Sequence, residues 1–167
     1  MVVDPNAMQP IQRFRIDWVL TNDLAVGPAP REDWHIQRLK ADGIHGVLSL
    51  CSLEEAQPPR GFTDQFQCQR IVLPDHRSAE FPSLQQLKSS LLALSELRQQ
   101  GPVFVHCVAA VERSPLICMA WLVQEQQLNP TEALDYLMQV HPGTNPLPGQ
   151  LALLHQLSQN RTNQSAP

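Results

Sequence analysis

The amino-acid sequence predicts a single α/β domain with a central, mostly parallel twisted sheet flanked by helices. Short apolar runs at residues 46–50 and 103–105 have the length and composition of buried strands. Segments with helical spacing separate these runs, and such alternation is typical of a parallel sheet. The 167 residues with 43% hydrophobic content are enough to bury one substantial core.

The ends of the chain differ in composition from its middle. Residues 1–12 are polar and contain proline, which predicts a flexible N-terminal arm. Residues 13–159 carry the strand and helix patterns and are expected to form the domain. Residues 160–167 are polar, so we expect a flexible tail.

The first half of the domain is predicted to contain four strands and one helix. Apolar residues at helical spacing over 34–41 predict a helix that ends at Gly43. A polar, proline-rich loop is expected over residues 52–61. The predicted strands are residues 14–20, 24–26, 46–50 and 69–72.

The second half is predicted to be mainly helical. Ser83 and Gln86 form a capping box that opens a helix, and Gly101 stops it. The run 115–123 is apolar on every face, as in a buried helix. Two further helices are expected, one capped by Asn129 and continuing to Val140, the other over residues 147–157.

The segment between the strand at 103–105 and the helix that starts at Pro115 carries the most informative motif. Cys107 lies where the strand ends, and Arg113 follows six positions later. A strand-to-helix turn of this kind binds anions through its backbone N–H groups and the helix dipole, and that field favours a cysteine thiolate. Arg113 adds a planar fork that suits two phosphate oxygens. The predicted phosphate-binding residues are Val108, Ala109, Ala110, Val111, Glu112 and Arg113.

An alternative is that Cys107 is only a small buried hydrophobic residue at a strand end. The conjunction of the motif with its neighbours argues against this. His106, Cys107, Arg113 and Ser114 match the pattern His-Cys, five residues, Arg, then Ser or Thr. In this pattern the chain resembles the protein tyrosine phosphatase superfamily, and in particular its short dual-specificity branch.

The resemblance implies a fold and further catalytic residues. It implies a dual-specificity phosphatase-like fold, with Cys107 as nucleophile and Arg113 as phosphate ligand. Family members carry a general-acid aspartate about thirty residues before the cysteine, and Asp75 lies 32 positions before Cys107. Asp75 after Pro74 is also typical of a turn, and Asp64 and Glu80 are the other candidate acids.

Two more residues gain a role from the resemblance. Ser114 is expected to hydrogen-bond the thiolate, although it could also cap the following helix. Cys51 directly follows the strand 46–50, and some members of the branch have a cysteine here that pairs reversibly with the nucleophile. Cys51 is therefore a candidate redox partner of Cys107, the alternative being a buried cysteine that fills space.

One residue departs from the family pattern. Relatives usually have glycine three positions after the nucleophile, where this chain has Ala110. If the position requires positive φ, alanine costs roughly 1–2 kcal/mol relative to glycine. Ala110 is therefore expected to affect the shape of the loop and with it the activity of the protein.

The function implied is metal-independent hydrolysis of phosphomonoesters through a phosphocysteine intermediate, with no cofactor and no metal. The short chain predicts a shallow pocket that admits phosphotyrosine, phosphoserine and phosphothreonine of proteins, and a small phosphomonoester is the other substrate class. Two alternatives remain open. One is a catalytically weak phosphate-binding module, and the other is a cysteine enzyme of the sulfurtransferase or arsenate reductase type.

Composition excludes several partners. The net charge is −4 and basic residues form no run, which argues against nucleic acid and anionic membranes. No segment has the length of a membrane span, and the first residues lack a signal-peptide pattern. Four cysteines without paired spacing predict neither disulfides nor a zinc site. We expect a cytoplasmic monomer.

Overall fold

The computed structural model describes residues 14–165, and the predicted arm at residues 1–12 lies outside that range. The strands in this range are β1 Asp17–Leu20, β2 Leu24–Gly27, β3 Gly46–Ser49, β4 Gln67–Arg70 and β5 Val103–His106. The helices in the same range are α1 Asp33–Ala41, α2 Phe62–Gln65, α3 Leu84–Arg98, α4 Arg113–Glu125, α5 Pro130–Val140 and α6 Pro148–Gln164.

The strands form one sheet in the order β1-β2-β5-β3-β4. β1 and β2 are antiparallel, whereas β2, β5, β3 and β4 run parallel to their neighbours. The predicted fold class is therefore confirmed. His106, the last residue of β5, pairs with Gly27 on one side and Ser49 on the other. The loop after β5 thus leaves the sheet between two parallel neighbours, where α/β folds place their ligands.

Each face of the sheet supports its own hydrophobic core. Val103 and Val105 belong to one hydrophobic cluster with residues of α3, α4 and α6, while Phe104 points to the opposite face and belongs to a second cluster with residues of α1 and α2. This alternation follows from the two-residue period of a strand. Every residue from Arg113 to Val123 is buried, so α4 is the central helix that the apolar run predicted.

Phe14 and the edge strand depart from the predicted strand boundaries. Phe14 does not begin β1. Instead it stacks on His35 with ring centroids 4.0 Å apart, outside the sheet. β4 begins at Gln67 rather than at residue 69. It is an edge strand whose residues are exposed or half-buried, so its polar sequence carried little strand signal.

Two helical segments also differ from the prediction. The short helix α2 was missed, and it starts after Gly61, whose φ of 79° is in the left-handed region. The predicted tail is wrong in part, because α6 continues to Gln164, five residues past the expected domain end. Arg161 explains the extension, since its guanidinium donates to the carbonyl of Val123 and anchors the last turns to α4. Within the described range, none of the helices has both the length and the apolar character needed to cross a lipid bilayer.

Candidate active site

The segment from Cys107 to Arg113, here called the phosphate loop, joins the end of β5 to the first residue of α4. It forms the floor of a cavity of about 380 Å³. The segment 73–82, here called the acid loop, supplies the other wall. The cavity is lined by Asp75, His76, Arg77, Cys107, Val108, Ala109, Val111, Glu112 and Arg113.

The backbone of the phosphate loop is fixed from outside through its carbonyl groups. The amides of Ala29 and Asn145 donate to the carbonyls of Val108 and Val111, at 3.0 and 2.9 Å. His141 Nε2 lies 2.7 Å from the carbonyl of Ala110. No backbone N–H of residues 108–112 donates a hydrogen bond to another residue in the described range. A loop with occupied carbonyls and free amides is an anion-binding arrangement.

Ala110 occupies the strained position of this loop. Its φ is 59°, so the position does require the left-handed conformation that favours glycine. Ala110 is buried and, unlike the other predicted phosphate-binding residues, it does not line the cavity. Ala110 therefore contributes to the site through the backbone turn at its position, and its side chain does not face the cavity.

Cys107 and Ser114 are brought together as the sequence motif predicted. The two side chains are buried, and Cys107 Sγ lies 3.3 Å from Ser114 Oγ. Ser114 is in the first turn of α4, so its hydroxyl and the helix dipole act on the sulfur from the same side. This arrangement suits a thiolate that accepts a hydrogen bond.

His106 braces the start of the phosphate loop. Its Nδ1 lies 2.9 Å from the carbonyl of Cys107, which can only accept, so Nδ1 carries the proton. Nε2 then accepts from the hydroxyl of Ser49 at 2.7 Å. Burial lowers the pKa of His106 to about 4, so the ring is neutral at physiological pH. His106 therefore orients the loop.

Arg113 is held by a carboxylate that the sequence did not single out. Both terminal nitrogens of Arg113 donate to Glu55, at 3.2 and 2.9 Å, and one also donates to the carbonyl of Leu73 at 3.1 Å. The hydrogen bond from Arg113 is the main cause of the lowered pKa of Glu55. Glu55 comes from the polar loop after β3, and no local pattern marks it as a partner of a residue 58 positions away.

Asp75 faces the cavity from the acid loop, as expected of the general acid. Arg77 Nε donates to Asp75 Oδ2 at 2.8 Å, and an Arg113 terminal nitrogen lies 3.8 Å from the same oxygen. The hydrogen bond from Arg77 is the largest of the effects that lower the pKa of Asp75. The other candidate acids, Asp64 and Glu80, are exposed and do not line the cavity.

The acid loop is tied to the rest of the site at two points. Glu112 Oε1 accepts from the backbone N–H of His76 at 2.8 Å, and Arg77 donates to Glu55 Oε1 at 2.7 Å. These contacts hold Asp75 over the phosphate loop. Glu112 also places a negative charge in the cavity wall.

One group of side chains has the composition of a metal site. Ligand atoms of Asp75, His76 and Glu112 lie within 4.8 Å of one another. Asp75 is already bound by Arg77 and has Arg113 close by. Two guanidinium groups beside the carboxylate make this group a poor host for a cation.

Cys51 follows β3, which is the parallel neighbour of β5. The residue is buried in a small cluster with Ala29 and Ala56, against which Val108 of the phosphate loop packs. Burial is the main cause of the raised pKa of Cys51, which keeps it a thiol. The pairing of Cys51 with Cys107 stays a prediction.

Comparisons with known proteins identify the family of the chain. Residues 33–160 match the family model described as "Dual specificity phosphatase, catalytic domain". Dual specificity protein phosphatase 2 of Mus musculus is 33% identical over 104 residues, which is 62% of this chain. The matched region is 31% of the mouse protein, so the chain spans less than a third of that relative.

Solved structures share the fold at low sequence identity. PTPMT1 in complex with PI(5)P superposes with a TM-score of 0.76 at 19% identity, covering 86% of this chain and 95% of that chain. A mouse putative dual specificity phosphatase complexed with zinc tungstate gives a TM-score of 0.76 at 19% identity. In that case 96% of each chain is covered.

Proposed function

The chain belongs to the dual specificity phosphatase family, and on this premise we propose that it hydrolyses phosphomonoesters through a phosphocysteine on Cys107. The proposed reaction uses neither a metal nor a cofactor. Asp75, Arg113 and Ser114 are the other proposed catalytic residues, and the backbone of the phosphate loop binds the phosphoryl oxygens.

The observation that carries the proposal is the set of unused donors around Cys107. Arg113 is 3% exposed, and its Nε finds no hydrogen-bond partner among the described residues. A buried N–H group without an acceptor is costly, by about 1–3 kcal/mol. The free amides of residues 108–112 adjoin the same cavity. A tetrahedral oxyanion supplies acceptors for both, with its central atom next to Cys107 Sγ.

The first chemical step forms the phosphocysteine. The Cys107 thiolate attacks phosphorus, a P–S bond forms and the bond from phosphorus to the ester oxygen breaks. Arg113 and the loop amides stabilise the charge on the equatorial oxygens. Asp75 gives its proton to the departing oxygen, so the product leaves as an alcohol or phenol.

The second step releases inorganic phosphate. Asp75, now a carboxylate, takes a proton from a water molecule as that water attacks phosphorus. The P–S bond breaks and the sulfur leaves as a thiolate. The Ser114 hydroxyl, 3.3 Å from Sγ, stabilises that leaving thiolate by a hydrogen bond.

We propose phosphorylated side chains of proteins as the substrate class. The cavity of about 380 Å³ has room for a phosphorylated residue. One structural neighbour was solved with PI(5)P, but Glu112 places a carboxylate in the wall of this cavity, and it repels a polyanionic headgroup.

The alternative of a binding module without turnover rested on Ala110. The alanine adopts the left-handed conformation that the turn requires, so the loop keeps its free amides at the cost of backbone strain. A sulfurtransferase or arsenate reductase is supported by no contact in the site, whereas the acid Asp75 over Cys107 favours ester hydrolysis.

The test is hydrolysis of an aryl phosphate and of phosphopeptides in the presence of a metal chelator. Wild-type protein should release phosphate, and Cys107→Ser should not, because a serine hydroxyl stays protonated where a thiol ionises. Cys68→Ser is the matched control, since Cys68 is exposed on β4. Activity that survives Cys107→Ser, or that requires a divalent ion, would refute the proposal.

A further inference from the structure

His141 connects the phosphate loop to the first strand of the sheet. It follows the last residue of α5 and is 6% exposed. Its Nε2 lies 2.7 Å from the carbonyl oxygen of Ala110, and its Nδ1 lies 2.7 Å from Asp17 Oδ2 in β1. Thr144 donates to the backbone carbonyl of His141 and fixes the turn that presents the ring.

These two contacts determine how many protons the ring carries. The carbonyl of Ala110 can only accept, so Nε2 must be protonated. The carboxylate of Asp17 also only accepts, so Nδ1 must be protonated as well. Arg15 Nε donates to the other oxygen of Asp17 at 3.0 Å, which favours the ionised carboxylate. The arrangement is therefore an imidazolium between a carboxylate and a carbonyl.

The carbonyl that His141 holds belongs to the one strained residue of the loop. Alanine at φ 59° lies in the left-handed conformation, which is unfavourable for a residue with a Cβ. A charge-assisted hydrogen bond to the carbonyl of Ala110 is stronger than one between neutral groups. The hydrogen bond from His141 therefore offsets the backbone strain of Ala110 at Ala110 itself.

We propose that His141 is a positioning residue, whose imidazolium form joins Ala110 to Asp17 and so keeps the phosphate loop in its anion-binding conformation. This inference rests on the proposed function only for the identity of the anion. It makes the shape of the loop depend on a proton that lies outside the catalytic cavity, because His141 does not line it.

The charged groups near His141 come from β1 and from the phosphate loop. Asp17 of β1 contacts the His141 ring, and Arg15, which precedes β1, contacts Asp17. The phosphate loop contributes the ionisable side chains of Cys107, Glu112 and Arg113, whereas its contact with His141 is a backbone carbonyl. The second proton of the His141 ring, on Nδ1, is therefore stabilised by the carboxylate of Asp17.

The first test is the protonation state itself. Nitrogen NMR of ¹⁵N-histidine-labelled wild-type protein should show both ring nitrogens of His141 protonated at neutral pH, assigned by comparison with His141→Gln. A singly protonated ring at neutral pH would overturn the proposal. This measurement does not depend on turnover.

The second test measures tungstate affinity by calorimetry, which separates the loop from the chemistry. His141→Gln keeps one donor but no charge, and it should weaken tungstate binding roughly 10–100-fold. His141→Arg retains donors and charge and should recover most of the affinity. Equal affinities of wild type and His141→Gln, or no recovery in His141→Arg, would contradict the proposal.

The third test couples His141 to the strain. In an Ala110→Gly background the loop turn is unstrained, so His141→Gln should cost several-fold less tungstate affinity than in wild type. Additive effects would show that His141 does not act through Ala110. Tungstate binding with this coupling but without phosphate release would refute the proposed function and leave the role of His141 intact.

Discussion

The general acid is the part of the proposed mechanism that a single isosteric substitution tests most directly. Asp75→Asn keeps the shape of the side chain, replaces one acceptor oxygen with an NH2 donor, and removes the ability to give or take a proton. The structure gives Asp75 two guanidinium contacts, to Arg77 at 2.8 Å and to Arg113 at 3.8 Å. Asp75 lies in the mostly exposed segment 75–81, so we expect the melting temperature to change little and the loss to appear in catalysis.

The size of the loss depends on the leaving group. General acid catalysis contributes roughly 10²–10⁴-fold, or about 3–5 kcal/mol of transition-state stabilisation. An alkoxide from phosphoserine needs the whole of that proton transfer, whereas a nitrophenolate departs almost unaided. Asp75→Asn should therefore lower kcat/KM by roughly 10²–10⁴-fold on an alkyl phosphate or phosphoserine peptide, and much less on nitrophenyl phosphate.

The assay is a series of phosphate esters whose leaving groups span a wide range of acidity, measured with wild type, Asp75→Asn and Asp64→Asn. Asp64 is the matched control, because it is an exposed aspartate in α2 that does not line the cavity. The rate of Asp75→Asn should fall more steeply than wild type as the leaving group becomes more basic. Equal slopes for these two proteins would refute the role of Asp75, and a steep slope for Asp64→Asn would reassign it.

Two further predictions concern the surroundings of the site. Arg77 lowers the pKa of Asp75, so Arg77→Met should raise the pKa of Asp75. The fall of kcat/KM at high pH, measured on an alkyl phosphate, should then occur at higher pH than in wild type. An unchanged pH profile would show that Arg77 does not tune the acid. Mild peroxide should inactivate the protein by a Cys51–Cys107 crosslink that mass spectrometry detects and thiol reductant reverses. After peroxide and reductant, Cys51→Ser should recover less activity than wild type or Cys68→Ser. Full recovery of Cys51→Ser would show that Cys51 only fills space in the core.

The catalytic motif was predictable from the sequence because its parts are close together in the chain. Cys107, Arg113 and Ser114 lie on one strand-loop-helix unit, and each type of residue signals its element locally. The buried helix α4 was also evident, since eight consecutive apolar residues exclude a surface helix. Such features depend on neighbours within a few positions.

The partners that hold the motif in place could not be predicted in the same way. Glu55 reaches Arg113 from 58 positions earlier, and His141 reaches Ala110 from 31 positions later. Both contacts depend on how β3, β5 and α5 are arranged in the fold. A glutamate in a polar loop and a histidine after a helix carry no local sign of such a role. Ala110 shows the same limit, because its need for positive φ became visible only with the backbone.

The charge balance of the site is compatible with the proposed role of Asp75 as an acid, even though the pKa of its carboxyl is lowered. The carboxyl groups of Glu55, Asp75 and Glu112 outnumber the guanidinium groups of Arg77 and Arg113 around the cavity. A phosphate ester that enters brings further negative charge next to Asp75, which raises the pKa of that carboxyl by repulsion. Binding of substrate thus favours uptake of the proton that the first step consumes. The fall in rate caused by deprotonation of Asp75 should accordingly occur at higher pH in the profile of kcat than in that of kcat/KM. The profile of kcat reports the enzyme with substrate bound, and that of kcat/KM reports the free enzyme.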